Sequence, residues 1–329
     1  MTALDDLAAR SEGGFPNLVA AREQTEAGLS GLGGRLAGVE VDADAAVVLF
    51  GSWGRGEVTD QSDYDWAVLV DGAERAGVRP FPAEVEAALG MGAKGPGAEG
   101  IFGASAFCDH LVDRIGLDAD DNTNLSRRML LLLESVGIVH PVVRDRCRDR
   151  VLRGYLDESV EDFRPPRFFL NDLIRYWRTI CVDYVGKERR GGDDRKWALR
   201  DLKLRTSRKI LFAGGLLPIL LCHRLRVADM EEYLRGAFDR PSLDRIASAF
   251  LELAAVDAGL RAVGAYDRFL GLIADPSVRE ELAGVTRATA AGSPVFEEGR
   301  RLGREIEAGL QALLFETRIE PLVREYGIL

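Results

Sequence analysis

Thiols and imidazoles are scarce in this chain of 329 residues: four cysteines (Cys108, Cys147, Cys181, Cys222) and three histidines (His110, His140, His223). The cysteines lie far apart with no CxxC, a pattern of reduced thiols rather than of a disulfide framework or a zinc site. So few histidines argue against a histidine-rich metal centre. Long apolar runs are missing too. The nearest, Ile210 to Cys222, is broken by Gly214, Gly215 and Pro218 and falls short of the roughly 18 residues that a membrane span needs. The opening residues, Met1 to Asp6, are acidic and show neither the basic nor the apolar region of a signal peptide, so a cytoplasmic location and no membrane partner are expected. Positive charge is in deficit, with 43 Lys/Arg against 53 Asp/Glu, a net charge of −10 and a pI near 5.1. That balance argues against binding of long nucleic acid, which depends on neutralising phosphates.

What is present is ample core material, 47% hydrophobic residues, in a length that suggests two domains. Residues 1 to about 40 read as helical. Ala45 to Phe50 is a short apolar run rich in β-formers and ends in Gly51, and Trp66 to Val70 is a second such run. Phe81 to Leu89 suits a short helix, Met91 to Gly103 a glycine-rich excursion, and Ala104 to Cys108 a third strand. The spacing predicts a helix over Asn124 to Ser135, capped by Asn122 or Thr123, and an edge strand ended by Pro141. Beyond about residue 160 the pattern is helical: Leu170, Ile174, Trp177, Cys181 and Tyr184 form an amphipathic stripe. Further helices are expected over Lys196 to Phe212, Val227 to Phe238, Leu243 to Val256, Asp257 to Ile273 and Pro294 to Phe315. With Pro165-Pro166 as a natural break, the expectation is an α+β fold: a mixed sheet domain over 1–160 followed by an all-helical domain over 161–329.

The chemistry concentrates where the first strand runs into Gly51-Ser52-Trp53-Gly54-Arg55-Gly56 and a loop then leads through Asp63-Tyr64-Asp65 to the second strand. Residues i and i+2 of extended chain face one side, so Asp63 and Asp65 project together, away from Tyr64 and Trp66. Two carboxylates so placed suit magnesium or manganese, with water and phosphate oxygens completing the shell. Glycines in the turn let backbone amides approach phosphate, Ser52 adds a hydroxyl, and Arg55 is a candidate phosphate clamp. A DxD alone or a Gly-Ser alone says little; the order strand, Gly-Ser, ten intervening residues, DxD, strand is far more specific.

This stretch, GSWGRGEVTDQSDYDWAVLV over Gly51 to Val70, resembles the signature of the DNA polymerase beta superfamily of nucleotidyltransferases. The resemblance implies a mixed sheet with flanking helices, two-metal catalysis on Asp63 and Asp65, and Gly51 and Ser52 holding the β- and γ-phosphates of an NTP, with ATP the expected donor. It also implies a third carboxylate on a later strand. Asp109, after the third strand, is the candidate, although His110 to Arg114 could equally begin a helix that Asp109 caps; Asp113 and Glu134 are lesser candidates.

From Arg164 to Ile210 there are 14 Lys/Arg against 6 Asp/Glu, a basic segment inside an acidic protein. It suits a compact anion such as a triphosphate, or simply a solvated helix surface. Within it Lys196, Arg200, Lys203 and Ser207 fall on one face of the expected helix. Several superfamily members place a Lys-x-x-x-Ser of the helical domain against the nucleotide phosphates, and Lys203 with Ser207 resembles it. Tyr176, Trp177 and Trp197 are aromatic options for stacking a base, the two tryptophans reading better as core. Gly95 to Gly100 formally matches GxGxxG, but it neither follows a clear strand nor opens a helix. The function expected is transfer of a nucleotidyl group to a hydroxyl of a small molecule or protein, with pyrophosphate released. A nucleotide second-messenger synthase and a silent nucleotide sensor are the alternatives.

Overall fold

The computed structural model describes residues 2–90, 101–156, 160–189 and 194–327, without the side chains of 187–189 and 194. Most of the glycine-rich excursion and the whole GxGxxG match at 95–100 lie outside them. In chain order come α1 (Ala3–Ala8), α2 (Pro16–Leu36), β1 (Ala45–Leu49), α3 (Ser52–Arg55), β2 (Trp66–Val70) and α4 (Pro82–Leu89). Next are β3 (Ser105–Phe107), α5 (Cys108–Asp113), α6 (Asn122–Leu133), β4 (Val136–Val139) and α7 (Pro141–Tyr155). The rest is helical: α8 (Arg167–Arg189), α9 (Trp197–Arg205), α10 (Ser207–Leu221), α11 (Val227–Phe238), α12 (Ser242–Glu252), α13 (Val256–Ala274), α14 (Pro276–Gly284), α15 (Pro294–Phe315) and α16 (Glu320–Gly327). The class is α+β, as the apolar runs and helical periodicities predict. Among the described residues no helix is long and apolar enough to cross a membrane.

Contacts divide the chain into two compact units, each discontinuous in sequence. The sheet unit comprises residues 21–168 and 222–241, the helical unit 1–20, 169–221 and 242–329. Compared with the expected spans 1–160 and 161–329, residues 1–20 therefore group with the helical unit and 222–241 with the sheet unit.

The sheet has the order β3-β2-β1-β4. β1 runs antiparallel to both β2 and β4, with Leu49 opposite Trp66 and opposite Val136, whereas β2 and β3 are parallel, Val70 opposite Phe107. Every residue of β1 and β2 is buried, which explains why these strands read as unbroken apolar runs rather than alternating ones. On one face Val47, Leu49, Trp66 and Val68 join Leu32 and Leu36 of α2 and Val85 and Leu89 of α4 in a single cluster. The other face is covered by α7, whose Val143, Cys147 and Val151 recur every fourth residue and are buried. Arg128 of α6, fully buried, is held bidentately by Asp120 at 3.0 and 2.8 Å, by the Tyr155 hydroxyl at 2.6 Å and by the Leu111 carbonyl at 3.3 Å, tying α5, α6 and α7 together.

Two local expectations are corrected. The cap of α6 is Asp121, whose carboxylate accepts the Asn124 amide at 2.7 Å, not Asn122 or Thr123, which are already helical. The helix expected over Lys196 to Phe212 is broken: Thr206 leaves the helical region at φ −122°, ψ −93°, and α10 starts afresh at Ser207.

Candidate active site

The strand directions define two ends of the sheet. At the front end β1 stops, β2 begins and β4 begins; at the rear end β2 and β3 stop. Gly51, Ser52, Asp63 and Asp65 all lie at the front. The chain leaves β1 through Gly51, whose φ of +66° favours glycine, into the one-turn helix α3, closed by Gly56 at φ +70°. Ser52, Trp53 and Gly54 lead that turn, so their amides have no carbonyl within it to receive them. Asp63 and Asp65 sit in the extended segment just ahead of β2, and the Phe50 amide donates to the Asp65 carbonyl at 2.8 Å, prolonging the β1–β2 pairing.

Tyr64 and Trp66 share the core side of this segment. Tyr64 stacks on Trp53 with ring centroids 5.2 Å apart and packs against the sheet core, while the Trp53 indole donates to the Asp63 carbonyl at 3.2 Å. Asp65 points the other way: one of its carboxylate oxygens lies 3.1 Å from where a Cβ on Gly51 would stand. Asp63 is exposed. The turn is also fixed from below. A Cβ on Gly54 would meet the Glu134 carbonyl oxygen at 1.9 Å, so the end of α6 presses directly on α3.

Arg55 does not stand ready as a phosphate clamp. Its guanidinium pairs with Glu57 at 2.7 Å and with the buried Glu134, and its side chain is itself nearly buried. Two carboxylates thus absorb its charge. Glu134, a lesser candidate for the third carboxylate, is at the front end but committed to this ion pair. Spacing offers no hint of that pair, which joins residues 79 apart.

Asp109 lies elsewhere. It falls in the first turn of α5, not in a strand, and its amide donates to the Gly72 carbonyl at 3.2 Å. Because β3 runs parallel to β2, the residues after β3 neighbour those after β2, at the rear. At about 3.3 Å per residue, the length of β2 puts roughly 15–20 Å between Asp65 and Asp109. Its carboxylate pairs with Arg150 at 2.7 Å, and Arg150 also holds Asp71 at 2.9 Å. Burial works to lower the Arg150 pKa, but hydrogen bonds to Asp109 and Asp71 outweigh it and raise the value above that of an ordinary arginine. Asp113 closes the same helix α5 and is likewise remote from Asp63 and Asp65.

The rear end also holds a group that sequence reading missed. Asp71, Cys108 and Cys147 bring their ligand atoms within 4.8 Å of one another, the one such trio among the described residues. All four cysteines are free thiols. The Cys108 thiol donates to the Cys147 carbonyl at 3.8 Å, and the hydrogen bond with Cys108, together with burial, pushes the Cys147 thiol up. Cysteines 39 residues apart carry no spacing signal.

In the helical unit the break at Thr206 separates Ser207 from the other three candidate phosphate residues. Lys196 is the exposed residue ahead of α9, Arg200 and Lys203 are half-buried on α9, and Ser207 is buried as the first residue of α10. Lys203 and Ser207 therefore do not project from one continuous helix. Trp177 packs on Phe212 and Trp197 on Phe296, each with ring centroids 5.3 Å apart, the core roles expected of them, and Tyr176 is buried.

With this geometry in view, comparison with known families is decisive at one place: residues 37–95 match the family model described as a nucleotidyltransferase domain. The protein contains a nucleotidyltransferase domain. It is therefore a transferase of phosphorus-containing groups, in line with the polymerase beta-like resemblance of Gly51 to Val70. The match takes in β1, the Gly51-Ser52 turn, both aspartates, β2 and α4. No curated protein and no solved structure matches the chain.

Proposed function

We propose that this nucleotidyltransferase moves an NMP group from an NTP, ATP foremost, to a hydroxyl of a small-molecule or protein acceptor, releasing pyrophosphate. The observation that carries the reading is the meeting of Gly51-Ser52 with Asp63 and Asp65 at the front of the sheet, the Asp65 carboxylate lying over the Cβ-less Gly51. An all-oxygen pair at the end of a strand suits magnesium or manganese, and Asp63 and Asp65 are the residues that would hold the cation. Such a cation neutralises triphosphate charge and activates the attacking hydroxyl. The Ser52 hydroxyl and the leading amides of α3 receive phosphate oxygens, and Trp53 and Tyr64, stacked together, hold the Asp63 backbone in place. Ser207 is assigned a packing role and Arg55 an ion-pair role. Asp109 has no part in this assignment.

Incubation with each α-labelled NTP and magnesium, with and without cell extract, tests it. Pyrophosphate release with label on protein or on a small product supports transfer, and Ser52→Ala should then raise KM for the NTP about tenfold, the loss of one charge-assisted contact. A product built from NTP alone identifies a second-messenger synthase. One observation favours a second reading, a nucleotide sensor without turnover: among the described residues no third ligand accompanies Asp63 and Asp65. Tight NTP binding with no turnover under every condition would establish the sensor instead.

A further inference from the structure

We propose that Asp71, Cys108 and Cys147 form a second cation site in the sheet unit, one for a thiophilic divalent ion, zinc foremost, at the opposite end of β2 from Asp63 and Asp65. The three ligands come from three elements: Asp71 follows β2, Cys108 opens α5, and Cys147 sits in the middle of α7. Their ligand atoms lie within 4.8 Å of one another. Two thiolates on one tetrahedral zinc, each about 2.3 Å from it, are about 3.8 Å apart, so side-chain adjustments of well under an ångström per ligand close the site. Softness then selects the ion. Thiolates favour zinc over magnesium, whereas the oxygen pair at the front favours magnesium or manganese, so the two ends of one strand take different metals.

Charge supports the same assignment. Two thiolates and a carboxylate bring three negative charges to a divalent ion, one in surplus. Arg150 and Arg146 lie 2.9 and 3.0 Å from the two Asp71 oxygens and offset that surplus. A carboxylate oxygen accepts more than one partner, and ligand carboxylates are ordinarily hydrogen-bonded on their outer side, so the arginines serve as the outer shell that orients Asp71. Both thiols are fully buried, but the Asp71 side chain is 17% exposed, which gives an ion its way in and leaves the fourth position to water. An occupied site clips the end of β2 to α5 and α7.

The test uses the full chain, freed of metal by a chelator and kept under reductant. Titration with cobalt(II) should give, at one equivalent, thiolate-to-cobalt charge-transfer absorption with tetrahedral d–d bands. Zinc should erase the signal and excess magnesium should not. Cys108→Ser with Cys147→Ser should abolish it, Asp71→Asn should weaken cobalt binding by about a hundred-fold or more, beyond the cost of losing an outer-shell partner, and Cys181→Ser with Cys222→Ser should leave it intact. Asp63→Asn with Asp65→Asn should also leave it intact, so this site and the proposed transfer activity fail or stand separately. The unsubstituted protein needs no folding control beyond its own circular dichroism. A folded chain that shows no charge-transfer band has an ordinary pair of core thiols there, and the proposal is overturned. A band that follows Cys181 and Cys222, or a Cys108–Cys147 disulfide that persists under reductant, overturns it equally.

Discussion

At the front of β2, Asp63 stands exposed and Asp65 lies over Gly51; at the rear, Asp71 and Asp109 share Arg150, and Asp71 takes Arg146 as well. Both ends are acidic, yet their company differs. Carboxylates already neutralised by guanidinium groups have little charge left for a hard, strongly hydrated cation, and any ion at the rear must be won by the thiols. Among the described residues Asp63 has no cation at ion-pair distance. An acidic residue near a strand end is therefore informative only once its end of the strand and its partners are known.

Four variants break or sharpen that contrast. Asp63→Asn with Asp65→Asn, confined to the front, should cut pyrophosphate release by about a thousand-fold, equivalent to about 4 kcal/mol of barrier, with an unchanged far-ultraviolet circular dichroism spectrum. Full activity in that variant would erase the distinction between the ends. Asp120→Ala strands the buried Arg128 and should lower stability in urea melts by about 3–5 kcal/mol. Gly51→Ala combines a positive φ with the close Asp65 oxygen, and should cost about 1–3 kcal/mol of stability and weaken NTP binding in calorimetry. Asp109→Asn should matter least: a half-exposed ion pair contributes about 1 kcal/mol or less, and transfer should stay within about twofold of the unsubstituted protein. Collapse of transfer in Asp109→Asn would place the third carboxylate at the rear after all.

How much of this could be read from the sequence depended on what each residue's role required. β2 appeared at Trp66 to Val70 because a strand buried on both faces writes itself as an apolar run, and the front turn appeared because glycine, serine and paired aspartates rarely combine by accident. The place of Asp109 is hidden in the sequence for a definite reason. A sequence shows that a strand ends near Cys108 but not whether it runs parallel to β2, and the pairing sense decides which end receives the next residue. Helix α7 is hard to see in the sequence because Arg144, Asp145, Arg146, Arg148, Asp149 and Arg150 hide the buried stripe of Val143, Cys147 and Val151. The break at Thr206 escaped because threonine is an ordinary helix residue, and only its observed φ and ψ reveal the interruption. Arg55 read as a clamp because its partner Glu134 is distant in sequence.

The discontinuous make-up of the sheet unit has a consequence for its birth on the ribosome. Helix α11 belongs to that unit and is joined to α7 by ion pairs, Arg235 with Asp149 at 3.2 Å and Arg153 with Glu231 at 3.1 Å. A nascent chain that has just completed β4 and α7 therefore still lacks a member of its own unit, and must carry α8 to α10 out of the exit tunnel before that member arrives. Synthesis cannot deliver one finished unit and then the next. The two are completed in overlap, and a chain cut at the apparent boundary near residue 168 leaves the sheet unit without its last helix.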